Sequence, residues 1–209
     1  MQPGLRELKK TRTRQLIAST AAELFARSGF DQVTVDEIAQ AAQVSKKTVF
    51  NYFPTKEDLV FDHAEERETS LLAAVRSRAD GVTVLEALRA ALLAQADNLD
   101  QLRSETGLGS GGFFDLVRST PALQRRMHEL NVRLVRSVGG ALAEQTGARP
   151  DDPVPDVVAW TLIGAYRSLQ RRLRQRVTDG ASDATIRRAH RRDVDRVITL
   201  LAQGLADYP

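Results

Sequence analysis

Residues 34–53 read Thr34-Val-Asp-Glu-Ile-Ala-Gln-Ala-Ala-Gln-Val-Ser-Lys-Lys-Thr-Val-Phe-Asn-Tyr-Phe53, and two helix-start signals decide how this stretch folds. At the first, the Thr34 side chain can accept from the backbone N–H of Glu37 while the Glu37 carboxylate reaches back to cap Thr34. Val33 and Ile38 stand at the staple positions around that reciprocal cap. A short helix through Ala42 follows. Gln43 and Val44 then make a turn, and Ser45 is a second N-cap, with Val44 and Val49 again at staple spacing. Pro54 disfavours helical geometry in Phe53, so the second helix ends near Phe53.

Working outward, the residues from about Lys9 to Ser28 place Ile17, Ala21 and Phe25 on one stripe at helical spacing. Gly29 ends that helix, and Phe30 beyond it is placed to pack back on Phe25 as in a Schellman stop. Downstream, Thr55 with Asp58 three residues on starts a longer helix expected to reach about Ala79. Further helices are expected near Val84–Leu102, Phe113–Arg118, Pro121–Thr146, Val154–Arg176 and Ser182–Ala206. The breaks between them are Gly81, the glycine run Gly107–Gly112, Thr120-Pro121, Gly147–Pro155 and Asp179-Gly180. No β-branched alternating run stands out, so the fold is expected to be all-α. It divides into an N-terminal three-helix domain, residues 1–54, and a larger helical domain, residues 55–209.

Two short helices joined by a turn are what a helix-turn-helix requires, the first bracing across the DNA backbone and the second entering the major groove. In the second helix Val44, Val49 and Phe53 share the inward stripe, while Lys46, Lys47, Thr48 and Asn51 project elsewhere. Asn can read adenine bidentately, Lys can meet guanine or a phosphate, and the Thr methyl can touch thymine. Tyr52 adds a hydroxyl suited to a phosphate, and Lys56 stands where its ammonium could reach the same strand. Singly, Thr34 and Ser45 are adequately read as caps, and a Lys-Lys pair as a solvated face. It is the joint pattern of double caps, double staples and a polar outward face that favours DNA.

The stretch TVDEIAQAAQVSKKTVFNYFPTKEDLV resembles the signature of the tetracycline-repressor family, as does the preceding Leu24-Phe25-Ala26-Arg27-Ser28-Gly29-Phe30. The resemblance covers roughly Thr11 to Val60. It implies a homodimer whose larger C-terminal domain dimerises through its last two helices, about 154–176 and 182–206, and often holds a small-molecule pocket. By matching position it implies phosphate contacts for Thr34, Tyr52 and Lys56, and a groove face of Ser45, Lys46, Lys47, Thr48 and Asn51. Many members carry glycine where Lys47 stands, so the operator is not assumed from the family. The implied role is transcriptional regulation, with repression the usual mode.

The chain has 209 residues, of which 42% are hydrophobic, enough to bury a proper core. It has no cysteine, which excludes disulfides, thiolate zinc sites and a cysteine nucleophile. With no apolar leader and no stretch near the ~18 apolar residues of a membrane span, a cytoplasmic, unprocessed protein is expected. The formal net charge is +3, less telling than its distribution. The first fourteen residues carry Arg6, Lys9, Lys10, Arg12 and Arg14 against Glu7 alone. A basic arm before a helix-turn-helix can reach phosphate or the minor groove, or simply be a solvated end. From Arg167 to Arg196 there are ten arginines, read first as the solvated side of a dimer helix and second as a surface for an acidic ligand or nucleic acid.

An enzyme, or a helical ligand-binding scaffold not acting on DNA, is the rival reading. Against catalysis, His63, His128 and His190 are far apart in sequence, and no metalloprotease or nucleophile-elbow motif is present. No metal or cofactor is expected. For an apolar or amphipathic effector the candidate aromatic residues are Phe113, Phe114, Trp160 and Tyr166, with Arg118 or Arg167 as an anchor for an acidic end. Core filling is the plainer reading of each aromatic.

Overall fold

The computed structural model describes residues 4–62, 71–79, 81–105 and 109–204, and every regular element among them is helical. In chain order these are α1 (Leu5–Ser28), α2 (Val35–Ala41), α3 (Lys46–Tyr52), a 3-10 turn η1 (Glu57–Leu59), α4 (Val84–Ala94) and α5 (Leu99–Glu105). They continue with α6 (Gly109–Ser119), α7 (Pro121–Thr146), α8 (Val154–Thr178) and α9 (Asp183–Gln203). A further helical stretch spans 71–76.

Two compact units emerge, Met1–Ala64 with Glu105–Met127, and Glu65–Ser104 with His128–Pro209. The expected boundary after residue 54 therefore falls inside the first unit, the head. The reason is visible at Asp58, whose Oδ1 accepts from Arg126 Nε at 2.9 Å and Nη2 at 2.7 Å, tying the start of α7 to η1.

The head closes around Ile17, Ala21 and Phe25 of α1, which meet Val33, Ile38 and Ala39 around α2 and Val49 and Phe53 around α3, all buried. Gly29 has φ 79° and ψ 162°, so the chain leaves α1 extended and makes no Schellman stop. The packing expected of one survives, with the Phe25 and Phe30 rings 5.2 Å apart. The Schellman pair forms instead at the end of α2, where Val44 N–H donates to Ala39 O and Gln43 N–H to Gln40 O. Gln43 carries the left-handed φ of 55° that this closure needs.

The long helix expected from Thr55 to Ala79 is not what the described residues show. Thr55 and Asp58 do exchange cap bonds, but only the 3-10 turn follows, with a bend and a turn at Phe61 and Asp62. Residues 63–70, including His63, and residue 80 lie outside the described residues.

In the second unit, the body, α9 packs on α4 and α8, and α4 on α8. Leu88, Leu92, Val138, Leu162, Leu169 and Val194 form the centre of one buried cluster. A second cluster gathers Ala96, Leu99, Leu173, Val177 and Ile186. Serving both explains why the helix expected over Val84–Leu102 is broken. Ala96 and Asp97 bond back three residues in a turn, which re-aims Leu99 from the first cluster to the second. α7 and α8 lie close at Gly139, where an added Cβ would sit 2.6 Å from Asp156 Oδ1, the movable end of a side chain, and 3.7 Å from Ala159 Cβ. The glycine run read as a flexible break is helical from Gly109. Gly109, Gly111 and Gly112 occupy the first turn of α6, and Val117 anchors the later turns in the buried interior.

Some of the C-terminal charged residues form ion pairs. Arg176 pairs with Asp193 at 2.5 Å, Arg187 with Asp183 at 3.4 Å, and Asp195 takes Arg89 at 2.7 Å. Asp62 pairs with Arg14. Among the described residues no helix is long and apolar enough to cross a membrane.

Candidate nucleic-acid interface

The interface is built from the caps of α2 and α3. Glu37 N–H donates to Thr34 Oγ1 at 3.2 Å, and Thr34 N–H to Glu37 Oε2 at 2.7 Å. The Thr34 N–H bond to the carboxylate foremost, and the Thr34 hydroxyl donating to Glu37 Oε2 at 2.8 Å second, hold the Glu37 carboxyl below its ordinary pKa. Eleven residues later, at the start of α3, the same logic recurs with a single bond, Thr48 N–H donating to Ser45 Oγ at 3.0 Å. The two hydroxyls of Ser45 and Thr48 also bond each other at 2.8 Å. As expected, Phe53 is extended, with φ −134° and ψ 97°, and ends α3.

Long-range polar braces then fix the pitch of α3 within the head. Arg14 Nε donates to Asp62 Oδ1 at 2.6 Å and its Nη1 to the Tyr52 carbonyl at 3.0 Å. The guanidinium lies 4.5 Å over the Phe53 ring, so one α1 side chain grips the C-terminal end of α3 from above and beside it. Lys56 Nζ donates to the Phe30 carbonyl at 2.6 Å and sits 4.3 Å from the Phe30 ring centre. Its burial lowers the ammonium pKa, against the opposing pull of Asp31, Glu57 and Glu37.

This geometry sorts the groups read from the sequence. Lys47 and Asn51 are exposed on α3 with no hydrogen bond or ion pair. Lys46 is exposed but pairs with Asp36 at 2.7 Å, a solvent-facing contact worth about 1 kcal/mol or less and readily exchanged for a phosphate. Ser45 and Thr48 spend hydroxyl capacity on each other. Tyr52 and Lys56 are half-buried, and Lys56 already braces Phe30. Thr34 is exposed but commits its hydroxyl to Glu37.

Three positioning residues escape a reading of the motif alone. Arg14 counts there only as one cation of a basic arm, and Asp62 and Arg126 carry no local signal of their partners. Phe50, 42% exposed on α3, does have a signal, since it is an apolar residue lying off the Val49/Phe53 stripe.

Of the effector candidates, the side chains of Trp160 and Tyr166 are described. Trp160 is half-exposed, whereas Tyr166 is buried in the body core, its hydroxyl accepting from Gln170 Nε2 at 3.1 Å. Phe113 and Phe114 lie on α6, with side chains outside the described residues. The body has a cleft of about 360 Å³ lined by Leu93, Ala96, Asp97, Arg187, Arg188, His190 and Arg191, none of them among those candidates. Among the described residues no group of acidic, His or Cys side chains could hold a metal ion.

A capped helix pair with a buried inner stripe and an exposed cationic and amide outer face defines a helix-turn-helix DNA-binding protein. Residues 17–62 match the tetR family of bacterial regulatory proteins, and residues 82–206 match the MftR C-terminal domain. The chain is 32% identical over 156 residues to the transcriptional regulator TcmR of Streptomyces glaucescens, covering 72% of this chain and 67% of TcmR. It is 30% identical over 146 residues to the transcriptional repressor Rv1474c of Mycobacterium tuberculosis, covering 69% of this chain and 73% of that protein. The fold is also that of NalD from Pseudomonas aeruginosa, with a TM-score of 0.54 at 22% identity, covering 90% of this chain and 97% of NalD. The chain belongs to the TetR family, and it is a DNA-binding transcriptional regulator rather than an enzyme.

Proposed function

We propose that the protein is a cytoplasmic, homodimeric, ligand-responsive repressor that binds an inverted-repeat operator through α3. The observation that carries this reading is the unpartnered Lys47 and Asn51 on a helix whose other face is locked by buried Val49 and Phe53. One seven-residue helix makes few base contacts, and a two-fold dimer doubles them. Thr34, Tyr52 and Lys56 serve as phosphate-side groups, while Ser45, Lys46, Lys47, Thr48 and Asn51 form the groove face. Repression is supported by the similarity to Rv1474c, a transcriptional repressor.

The dimer surface fits the last two helices. On α8, Val154, Val157 and Trp160 are 59%, 62% and 50% exposed, and Gly164 leaves open space beside its backbone. On α9, Ile198 and Leu201 are only half-buried. A second copy would cover such a face and remove its apolar area from water. An effector bound in the body would change operator affinity by about 1 to 3 kcal/mol.

Selection of bound sequences from random duplexes tests the reading directly. The expected product is an inverted repeat whose half-site centres lie about 34 Å apart or somewhat more, bound by a species of twice the chain mass. Affinity should fall steeply with salt. Asn51→Ala should relax preference at one base position per half-site at a cost of about 1 to 3 kcal/mol. A footprint without a dyad, or a monomer on DNA, would overturn the proposal. For the effector, Trp160 fluorescence titrated with lipophilic acids and aromatic compounds should change in step with operator release.

A further inference from the structure

We propose that Phe50 is a specificity-determining residue that reads the 5-methyl group of a thymine in the operator. The proposal rests on α3 being the groove helix and adds a base-reading role that neither caps nor charges supply.

In a helix, residues three and four apart are surface neighbours, so Lys47, Phe50 and Asn51 form one contiguous patch. Their neighbours Val49 and Phe53 are each 1% exposed, whereas Phe50 is 42% exposed. The remaining groove candidates are restrained by the head itself, Lys46 by Asp36 and Thr48 by Ser45. The patch thus consists of a cation, an amide and an aromatic ring, with no hydrogen bond, ion pair or ring contact made by any of the three.

Each part of that patch has one natural complement in the major groove. The amide can bond an adenine edge bidentately, and the ammonium can meet guanine or phosphate. A phenyl ring can do neither, because it has no hydrogen-bonding group. The apolar feature of a base edge in the major groove is the thymine C5-methyl, for which phenylalanine is a fitting contact. Leaving this ring in water in the free protein and covering it on DNA adds apolar burial at a place where sequence is read. A bare cytosine or uracil edge offers no methyl to bury.

The test uses the full-length protein and the duplex obtained by selection. Each thymine is replaced in turn by deoxyuracil, which removes only the methyl, and binding is measured by fluorescence anisotropy. At one thymine per half-site the unaltered protein should lose about fourfold in affinity, the size of one methyl removed from an apolar contact. Phe50→Ala should bind the thymine and uracil duplexes equally, and restoring a methyl as 5-methylcytosine at that position should help the unaltered protein alone. Lys47→Ala should weaken thymine and uracil duplexes alike and so keep the discrimination. Thermal melting of the Phe50→Ala protein should match the parent, because the ring is exposed. Methyl discrimination that survives in Phe50→Ala, or no uracil-sensitive position at all, would overturn the role of Phe50 while leaving α3 in the groove. Failure to select any duplex would overturn both.

Discussion

The head and the body are both helical, yet they are held by different means. The head sets the direction of a seven-residue helix with charged cross-braces laid over a small apolar centre. The body relies on two clusters of aliphatic side chains, with the Arg89–Asp195 pair, 40% and 45% exposed, at the rim and the Arg176–Asp193 pair, 21% and 17% exposed, more covered. Directional bonds set the orientation of a short helix that has little apolar area of its own. A body built on aliphatic clusters is held by apolar area, which is non-directional. The same contrast accounts for the specificity of the local motif in the head and the generality of the sequence pattern in the body.

Breaking one brace in each unit should show the difference most strongly. Arg14→Ala removes the bonds to the Asp62 carboxylate, whose side chain is only 7% exposed, and to the Tyr52 carbonyl, and should cost about 2 to 3 kcal/mol of stability. It should also weaken DNA binding without altering base preference. Arg89→Ala at the exposed body pair should cost about 1 kcal/mol or less. Comparable shifts in thermal unfolding for the two variants would remove the distinction.

Next in size is Val49→Ala. Two lost carbon groups at a 1% exposed site should cost about 2 kcal/mol, read by denaturant unfolding. Because Val49 faces inward, the residual folded protein should keep the parent's base preference. A changed preference would mean that α3 is held by its core face more than by Arg14 and Lys56.

The body has a buried titratable group of its own. His190 is fully buried on α9, bonded through Nε2 to the Leu92 carbonyl at 2.8 Å, with Nδ1 unpartnered. Desolvation lowers its pKa below the ordinary 6.5, with the Arg176 charge adding and the Leu92 bond and Asp193 opposing. The unfolded chain then binds the proton first, so stability is fully present above about pH 6.5 and falls as the pH drops below it. His190→Leu should flatten that part of the stability–pH curve. An unchanged slope would show that other groups govern the acid limb.

The smallest expected effect lies at Gln43. Its φ of 55° is costly for a side chain with a Cβ, while glycine takes it freely but loses more chain entropy on folding. Gln43→Gly should therefore raise the melting temperature slightly, by the equivalent of about 1 kcal/mol or less.

What the sequence by itself determined are the features whose partners stand three to five residues apart. The Thr34/Glu37 box, the Ser45 cap, the Val33/Ile38 staple and the Phe53 stop before Pro54 depend on local chain geometry, so residue type and spacing suffice to read them. The apolar stripe of α1 is legible for the same reason, as is the set of exposed polar residues on α3. Tertiary structure alone decided the rest. Arg14 meets Asp62 across 48 positions, Arg126 meets Asp58 across 68, and His190 meets Leu92 across 98. No local periodicity encodes such pairs. The break in the Val84–Leu102 helix likewise arises because Leu92 and Leu99 serve different clusters, and the helix through Gly109–Gly112 forms with its later turns anchored by packing despite poor local propensity. Trp160 and Tyr166 lie on one helix, six residues apart, yet the first faces water and the second the core. Which side of a helix is covered depends on what packs against it, and that is a property of the assembled chain.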